Sequence, residues 1–286
     1  VVILANAKTN LFLAITGRYI GTYHELLSLN VPNDIYDHIT ISESDHWSFE
    51  CNDNALLKNN TIHRVVEQLR PLLAKKYCIK LEKNIPQLSG FGGGSSDATA
   101  VLKFFNAKEN LKLTHEKLVE IAKNIGADCP FFIQNRPAIV SGIGDIISPL
   151  DEQVVQHLKK YQMIIFKPPF GMETKLAYQK LRTTHTRLYI PYSKATKLMN
   201  NLIQEILNFS PKLSLFNTFS DIIFSEHGEL CILKKKLEHM NVNLVLSGSG
   251  SGCSCLFKDP SQTTHIVDII KNHFKQEIFI RKTAIA

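Results

Sequence analysis

The sequence predicts an α+β fold of two domains, and three observations predict it. Apolar stretches of strand type alternate with segments of helical spacing through the first half, and a polar connection, SPLDEQVVQHLKK, interrupts the chain near its middle. The last third reads β-turn-β-α-β, the order of a small antiparallel sheet backed by helices. A chain of 286 residues has room for two domains of ordinary size, and its 44% hydrophobic and 21% charged residues are the usage of a folded globular protein.

Taken in order, residues 2–15 and 77–83 (YCIKLEK) read as strands. Between them NTIHRVVEQLRPLLAKK places Ile62, Val65, Val66 and Leu69 on one helical face. After FGGGSSDATA (91–100) a helix is expected from about Ser95 to Asn106, and another from Thr114 to Asn124 with Thr114 as its N-cap. Short strands follow at 138–141 and 162–166, and the polar connection between them puts a domain boundary near residue 150, giving domains 1–150 and 151–286. The second half continues with helices near 172–182, 193–208 and 229–240, a strand at 243–247, the break SGSGSG, a strand at 253–257, a helix at 261–274 and a strand at 278–283.

No apolar run reaches the roughly 18 residues of a membrane span, and VVILANAKTNLFLAITG lacks the basic start and cleavage site of a signal peptide, so a cytoplasmic protein without a membrane partner is expected. The six cysteines are scattered, and neither they nor the eleven histidines form a metal-binding or redox spacing. The net charge of +7 favours anionic partners. With no helix-turn-helix, zinc-finger or aromatic RNA-binding motif beside that charge, a small phosphorylated molecule is a better fit than nucleic acid.

Three consecutive glycines before a helix are the main chemical signal. The first N–H groups of a helix lack intrahelical partners and carry the positive end of the dipole, so a glycine-rich turn there cradles phosphate. Ser95 and Ser96 add hydroxyls suited to capping, to phosphate or to a phosphate-bound Mg²⁺. The bland alternative is a flexible turn with a serine cap. A Walker A loop is excluded because no lysine follows the glycines, and GFGGGS lacks the third glycine of a dinucleotide fingerprint.

IPQLSGFGGGSSDATAVL resembles motif 2 of the GHMP kinase superfamily, whose loop wraps the phosphates of ATP. Further matches follow in the family's order: AKTNLFL with ITGR and YHEL at the amino end, IGADCPFF, SGIGD, and SGSGSGC as motif 3. The resemblance implies a two-domain GHMP kinase fold, with a ribosomal-protein-S5-like N-terminal domain and a ferredoxin-like C-terminal domain. It also implies ATP with Mg²⁺ as one substrate and a cytidine diphosphate sugar-alcohol as the other, phosphorylated on its 2-hydroxyl in the non-mevalonate route to isoprenoids. The assembly implied is a monomer or weak homodimer.

Carried over residue by residue, Lys8 and Asp128 match the catalytic pair. Pro86, Gln87, Leu88, Ser89, Gly90, Phe91, Gly92, Gly93, Gly94, Ser95 and Ser96 match the ATP loop, with Asn60 near the adenine and Ser95 a possible Mg²⁺ contact. Asn10, Tyr23, His24 and Tyr178 match the cytidine end, and Ser247, Gly248, Ser249 and Gly250 the motif 3 loop. Taken as residues alone, Lys8 also suits an edge-strand charge and Asp128 a helix cap before Pro130. A side chain at Gly93 is expected to sit against the phosphates. Three positions depart from the family: Gly21-Thr22 replaces Asp-Gly before the Tyr-His pair, Asn6 replaces a proline, and Phe91 a leucine on the adenine side of the loop. Other acceptors of the superfamily (galactose, homoserine, mevalonate), a non-catalytic nucleotide-binding relative and an RNA-binding protein remain the alternatives.

Overall fold

A computed structural model of the chain describes residues 1–18, 24–58 and 60–286, without the side chain of Arg18. The order is β1 (Val2–Arg18), β2 (His24–Ser44), β3 (Ser48–Cys51), α1 (Thr61–Leu69), β4 (Lys76–Glu82), α2 (Gly93–Lys108), α3 (His115–Ile125) and α4 (Cys129–Gln134). Then come β5 (Ala138–Ser141), β6 (Ile146–Pro149), α5 (Glu152–Leu158), β7 (Gln162–Lys167), α6 (Thr174–Thr183), α7 (Tyr192–Leu207), β8 (Phe216–Asn217), α8 (Ser220–Glu226) and α9 (Gly228–Glu238). The chain ends with β9 (Asn243–Leu246), β10 (Cys253–Phe257), α10 (Thr263–Phe274) and β11 (Phe279–Thr283).

Packing groups these elements into two compact units interleaved along the chain. The first comprises Val1–Lys8, Asp34–Ile85 and Gly92–Arg136, and the second Thr9–Asn33, Pro86–Phe91 and Pro137–Ala286. The boundary expected near residue 150 falls inside the second unit, between β6 and α5.

In the first unit β4 pairs antiparallel with β2 (Ile41 opposite Ile79) and parallel with β3. One face of this sheet offers Ile39, Ile41, Tyr77, Ile79 and Leu81 to the helices, which return Ile62, Val65 and Leu69 from α1, Ala98, Val101, Leu102 and Phe105 from α2, and Ile125 from α3. The helix ends follow local chemistry. Asn60, in extended backbone, accepts from the Ile62 amide to start α1, and Pro71 ends it by denying the next amide. Thr114 caps α3 as its sequence predicts, accepting from Lys117 N.

The second unit contains the four-stranded antiparallel sheet β11-β7-β10-β9. Numbered by their own sequence these strands run 4-1-3-2, the order of a ferredoxin-like sheet. Their apolar face packs against Leu181 of α6, Ile222 and Ile223 of α8, Leu230, Leu233 and Leu237 of α9 and Ile266 and Ile270 of α10. In the same unit β5 pairs with residues 28–30 of β2 and with β6, and β8 pairs with residues 12–13 of β1.

Several elements differ from the sequence reading. The connection SPLDEQVVQHLKK contains the end of β6 and all of α5, because Asp151 caps a seven-residue helix whose Val154, Val155 and Leu158 are buried. Among the described residues β2, β3, β8 and α8 likewise have no counterpart in the sequence reading. For β2 the reason is its passage from one unit to the other, so no single buried face runs its length.

Candidate active site

The glycine run begins the helix rather than preceding it. Helix α2 starts at Gly93, so Gly93 and Gly94 lie in its first turn and Ser95 and Ser96 follow inside it. The N-cap is Gly92, in left-handed backbone with φ +75°, and no side chain caps the turn among the described residues. A serine cap is therefore not what these serines provide. The first amides of the helix are left without a side-chain acceptor, the condition under which a helix start receives an anion. Ser95 is half-buried beside Cys129, whose thiol burial pushes up to about 11. Ser96 is buried.

Gly92 has a second reason to be glycine. A Cβ there would lie 3.0 Å from Cγ of Lys8 and 3.0 Å from Cζ of Phe132. The bare α-carbon thus admits the stem of Lys8, which crosses the start of α2 almost fully buried. Its ammonium stands 3.7 Å from Oδ2 of Asp128, whose side chain is 45% exposed. Asp128 occupies the N-cap position of α4 but makes no capping hydrogen bond with its side chain. Capping, the bland reading of Asp128, is not how its carboxylate is used. Lys8, buried rather than lying on an exposed edge, likewise does not serve as a guard against aggregation.

Gly93 corrects an expectation. Its Cβ would meet Ile85 Cγ2 at 3.0 Å and Lys83 Nζ at 3.1 Å, both beneath the helix, and not open space in front of it. Gly93→Val is expected to lower stability by about 1–3 kcal/mol through overpacking, measured by urea unfolding. A variant as stable as the wild type would mean that Ile85 and Lys83 yield without cost.

Under that turn lies a buried cluster that the sequence does not announce. Lys83 Nζ bonds Oδ2 of Asp37 and, at 2.7 Å, Oδ2 of Asp97 in α2. Asp37 also accepts from the amides of Asn84 at 2.6 Å and Ile85 at 2.8 Å. Burial raises the Asp97 carboxyl to about 8, with Lys83 opposing that rise. Oppositely charged residues scattered over 60 positions carry no sequence signal of their meeting.

Asn60 caps α1 with its side-chain oxygen, 2.9 Å from Ile62 N.

In the second unit the stretch Pro86–Phe91 is laced to motif 3. Ser251 N donates to Leu88 O, Gly252 N to Ser89 O at 3.0 Å, and Ser247 Oγ to Gly90 O at 3.0 Å. Ser89 folds the loop on itself by donating to Pro86 O, while Gln87 and Leu88 form its tip, Leu88 exposed with φ +54°. Phe91 is fully buried, its ring against Gly252, where a Cβ would come within 2.6 Å of it. It braces two loops together. Gly248 and Gly250 have positive φ, and Ser249 Oγ meets Thr174 Oγ1 at 3.0 Å.

Asn10 is buried with both ends of its amide engaged. Nδ2 donates to Asn30 Oδ1 and Ser28 Oγ, and Oδ1 accepts from Gly248 N at 2.8 Å. It fastens motif 3 to β1, and Asn217 holds the same loop by donating to Leu246 O and Gly248 O. His24 is buried in an aromatic group, its centroid 4.8 Å from Tyr178 and its ring stacked on Tyr189 at 5.9 Å, with Nε2 2.9 Å from the Tyr189 hydroxyl. Tyr178 also packs edge-on against Phe219. The sequence pairs His24 with Tyr178 only through the family resemblance, and Tyr189 and Asn217 not at all. Tyr23 and the Gly21-Thr22 departure lie outside the described residues. Among the described residues no three His, Cys, Asp or Glu side chains are placed to hold a metal ion, and no helix is long and apolar enough to cross a membrane.

Residues 60–136 match the family model described as the GHMP kinases N terminal domain. A 4-diphosphocytidyl-2-C-methyl-D-erythritol kinase of Azobacteroides pseudotrichonymphae genomovar. CFP2 is 32% identical over 264 residues, covering 89% of this chain and 92% of its own. One from Thermosipho melanesiensis is 34% identical over 255 residues, covering 87% and 88%. The crystal structure of a 4-(cytidine 5'-diphospho)-2C-methyl-D-erythritol kinase superposes with a TM-score of 0.79 at 23% identity over 99% of both chains, a likeness of fold. With a third of its residues shared along nearly its whole length, the chain belongs to the 4-diphosphocytidyl-2-C-methyl-D-erythritol kinase family of GHMP kinases.

Proposed function

We propose that the protein transfers the γ-phosphoryl group of ATP to the 2-hydroxyl of 4-diphosphocytidyl-2-C-methyl-D-erythritol, a step of non-mevalonate isoprenoid precursor synthesis. The observation that carries this beyond family membership is the Lys8–Asp128 pair, a buried ammonium 3.7 Å from a carboxylate that no helix cap consumes. A protein that only bound nucleotide would have no use for it.

On this reading the phosphates of ATP are received by the uncapped amides of α2, where the dipole and the missing Cβ atoms favour close approach. Magnesium enters with the nucleotide as part of the substrate, and Ser95, half exposed in the first turns, is the hydroxyl available to it. Phosphoryl transfer is largely loose, so positioning and charge neutralisation outweigh proton abstraction. Asp128 then orients the acceptor hydroxyl and takes its proton as the bond to phosphorus forms. Lys8, 3.7 Å from that carboxylate, offsets charge on the transferred group. His24 and Tyr178, with Tyr23, are assigned to the cytosine, where stacking on an aromatic ring is worth about 1–3 kcal/mol. Asn10 acts at one remove, by holding motif 3 in place.

Release of ADP measured with four acceptors tests activity and specificity together. Turnover is expected with the cytidyl substrate and at least about 10²-fold less with galactose, homoserine or mevalonate, because sites built to bond a group reject analogues lacking it. Equal turnover with another acceptor would overturn the assignment.

A further inference from the structure

We propose that Tyr189 is a positioning residue for the pyrimidine of the acceptor substrate, acting through His24: its hydroxyl fixes the imidazole as the tautomer whose proton sits on Nδ1. The inference rests on the reading that His24 faces the cytosine.

Three observations carry it. Nε2 of His24 stands 2.9 Å from the Tyr189 hydroxyl, and the two rings lie nearly parallel, 10° apart, with their centroids at 5.9 Å. His24 is buried, and Tyr178, the other described aromatic residue assigned to the cytosine, lies 4.8 Å from its centroid. The backbone around Tyr189 is also fixed. Its own amide donates to Thr186 O, and the amide of Ile190 donates to Ile15 O on β1 at 3.2 Å. A tyrosine anchored on both sides dictates where Nε2 lies rather than following it.

A neutral imidazole has one nitrogen that donates and one that accepts, and the bond made by one decides the state of the other. A phenol is a better donor than acceptor, because its oxygen lone pairs are drawn into the ring. The proton in the bond is therefore that of Tyr189, Nε2 accepts it, and Nδ1 is left as the donor. Cytosine offers two adjacent acceptors, O2 and N3, where uracil has O2 beside an N3–H. A donor held at that edge favours cytosine, and the other tautomer would not. The rival account is that the hydroxyl only gives a buried nitrogen the partner it needs in any case. On that account the choice of base is indifferent to the hydroxyl.

The test is calorimetry of cytidine monophosphate, uridine monophosphate and MgATP with the full chain, for the wild type and for Tyr189→Phe, which keeps the ring and loses the hydroxyl. The wild type is expected to bind the cytidine nucleotide about tenfold more tightly than the uridine one. Tyr189→Phe should bring that ratio below about threefold by weakening the cytidine nucleotide, while MgATP moves by less than about twofold. A variant that discriminates as well as the wild type, with both pyrimidines weakened alike or neither, would overturn the proposal, as would a wild type that binds the two equally. Nitrogen NMR of wild-type His24 decides without any variant: a proton on Nδ1 supports the assigned tautomer, and a proton on Nε2 overturns it. If the wild type bound MgATP and neither pyrimidine nucleotide, the placement of cytosine at His24 would be what had failed, and the role of Tyr189 with it.

Discussion

Asp128→Asn is expected to lower kcat by about 10²–10⁴ while ATP binds within a few-fold of wild type, the range for losing a positioned acid/base group. Asparagine keeps the shape of the side chain, and the structure removes the usual confusion with a stability effect, since Asp128 makes no capping bond whose loss would unravel α4. The Lys8 stem stays in place, held between the Gly92 α-carbon and the interior. Steady-state kinetics with calorimetry of ATP separates the two quantities. A kcat within a few-fold of wild type would remove Asp128 from the chemistry. A fall limited to about tenfold would leave it as an orienting group only, which loose phosphoryl transfer permits.

Gly90→Ala is expected to lower stability by about 2–4 kcal/mol and to raise the KM for ATP, because two backbones meet at this residue. Its Cβ would lie 2.0 Å from the carbonyl oxygen of Ser247 and 2.8 Å from the carbonyl carbon, and neither can swing aside as a flexible side chain does. Its φ of +73° adds the left-handed strain that only glycine escapes. The two loops must part, and the bonds from Ser251 N to Leu88 O and from Gly252 N to Ser89 O are the ones nearest the breach. Gly228→Ala is the control, with nothing within 4 Å of its Cβ and an ordinary φ at the start of α9. Urea unfolding of both variants checks the pair, and a Gly90→Ala protein as stable as Gly228→Ala would show that the loops are not in contact.

The regular helices and the last β-turn-β-α-β were legible because each obeys a local rule. Ile62, Val65 and Leu69 repeat on one face, Thr114 caps, and Cys253–Phe257 is a short apolar run bounded by glycine. Residues such as Lys83, Asp37 and Asp97, or Asn30 and Asn217, were not legible. Their meaning lies in partners far along the chain, and no local pattern distinguishes a buried polar residue from a surface one. Tyr189 was missed for the same reason, being marked by its bond to and stacking on His24.

The sequence by itself determined the chemistry on offer: a glycine run at a helix start, a lysine and an aspartate in the positions of a kinase pair, and an α+β order of elements. Local pattern specifies the glycine run and the order of elements, and the resemblance to the family supplies the pair. Only the tertiary structure decided which glycine serves which purpose, with Gly92 admitting Lys8, Gly93 resting on Lys83, and Gly90 touching Ser247. It also decided that Asp128 is a partner of Lys8 and not a cap. The physical reason is that steric contact and charge pairing act across space within a few ångströms, while the residues concerned stand up to 157 positions apart.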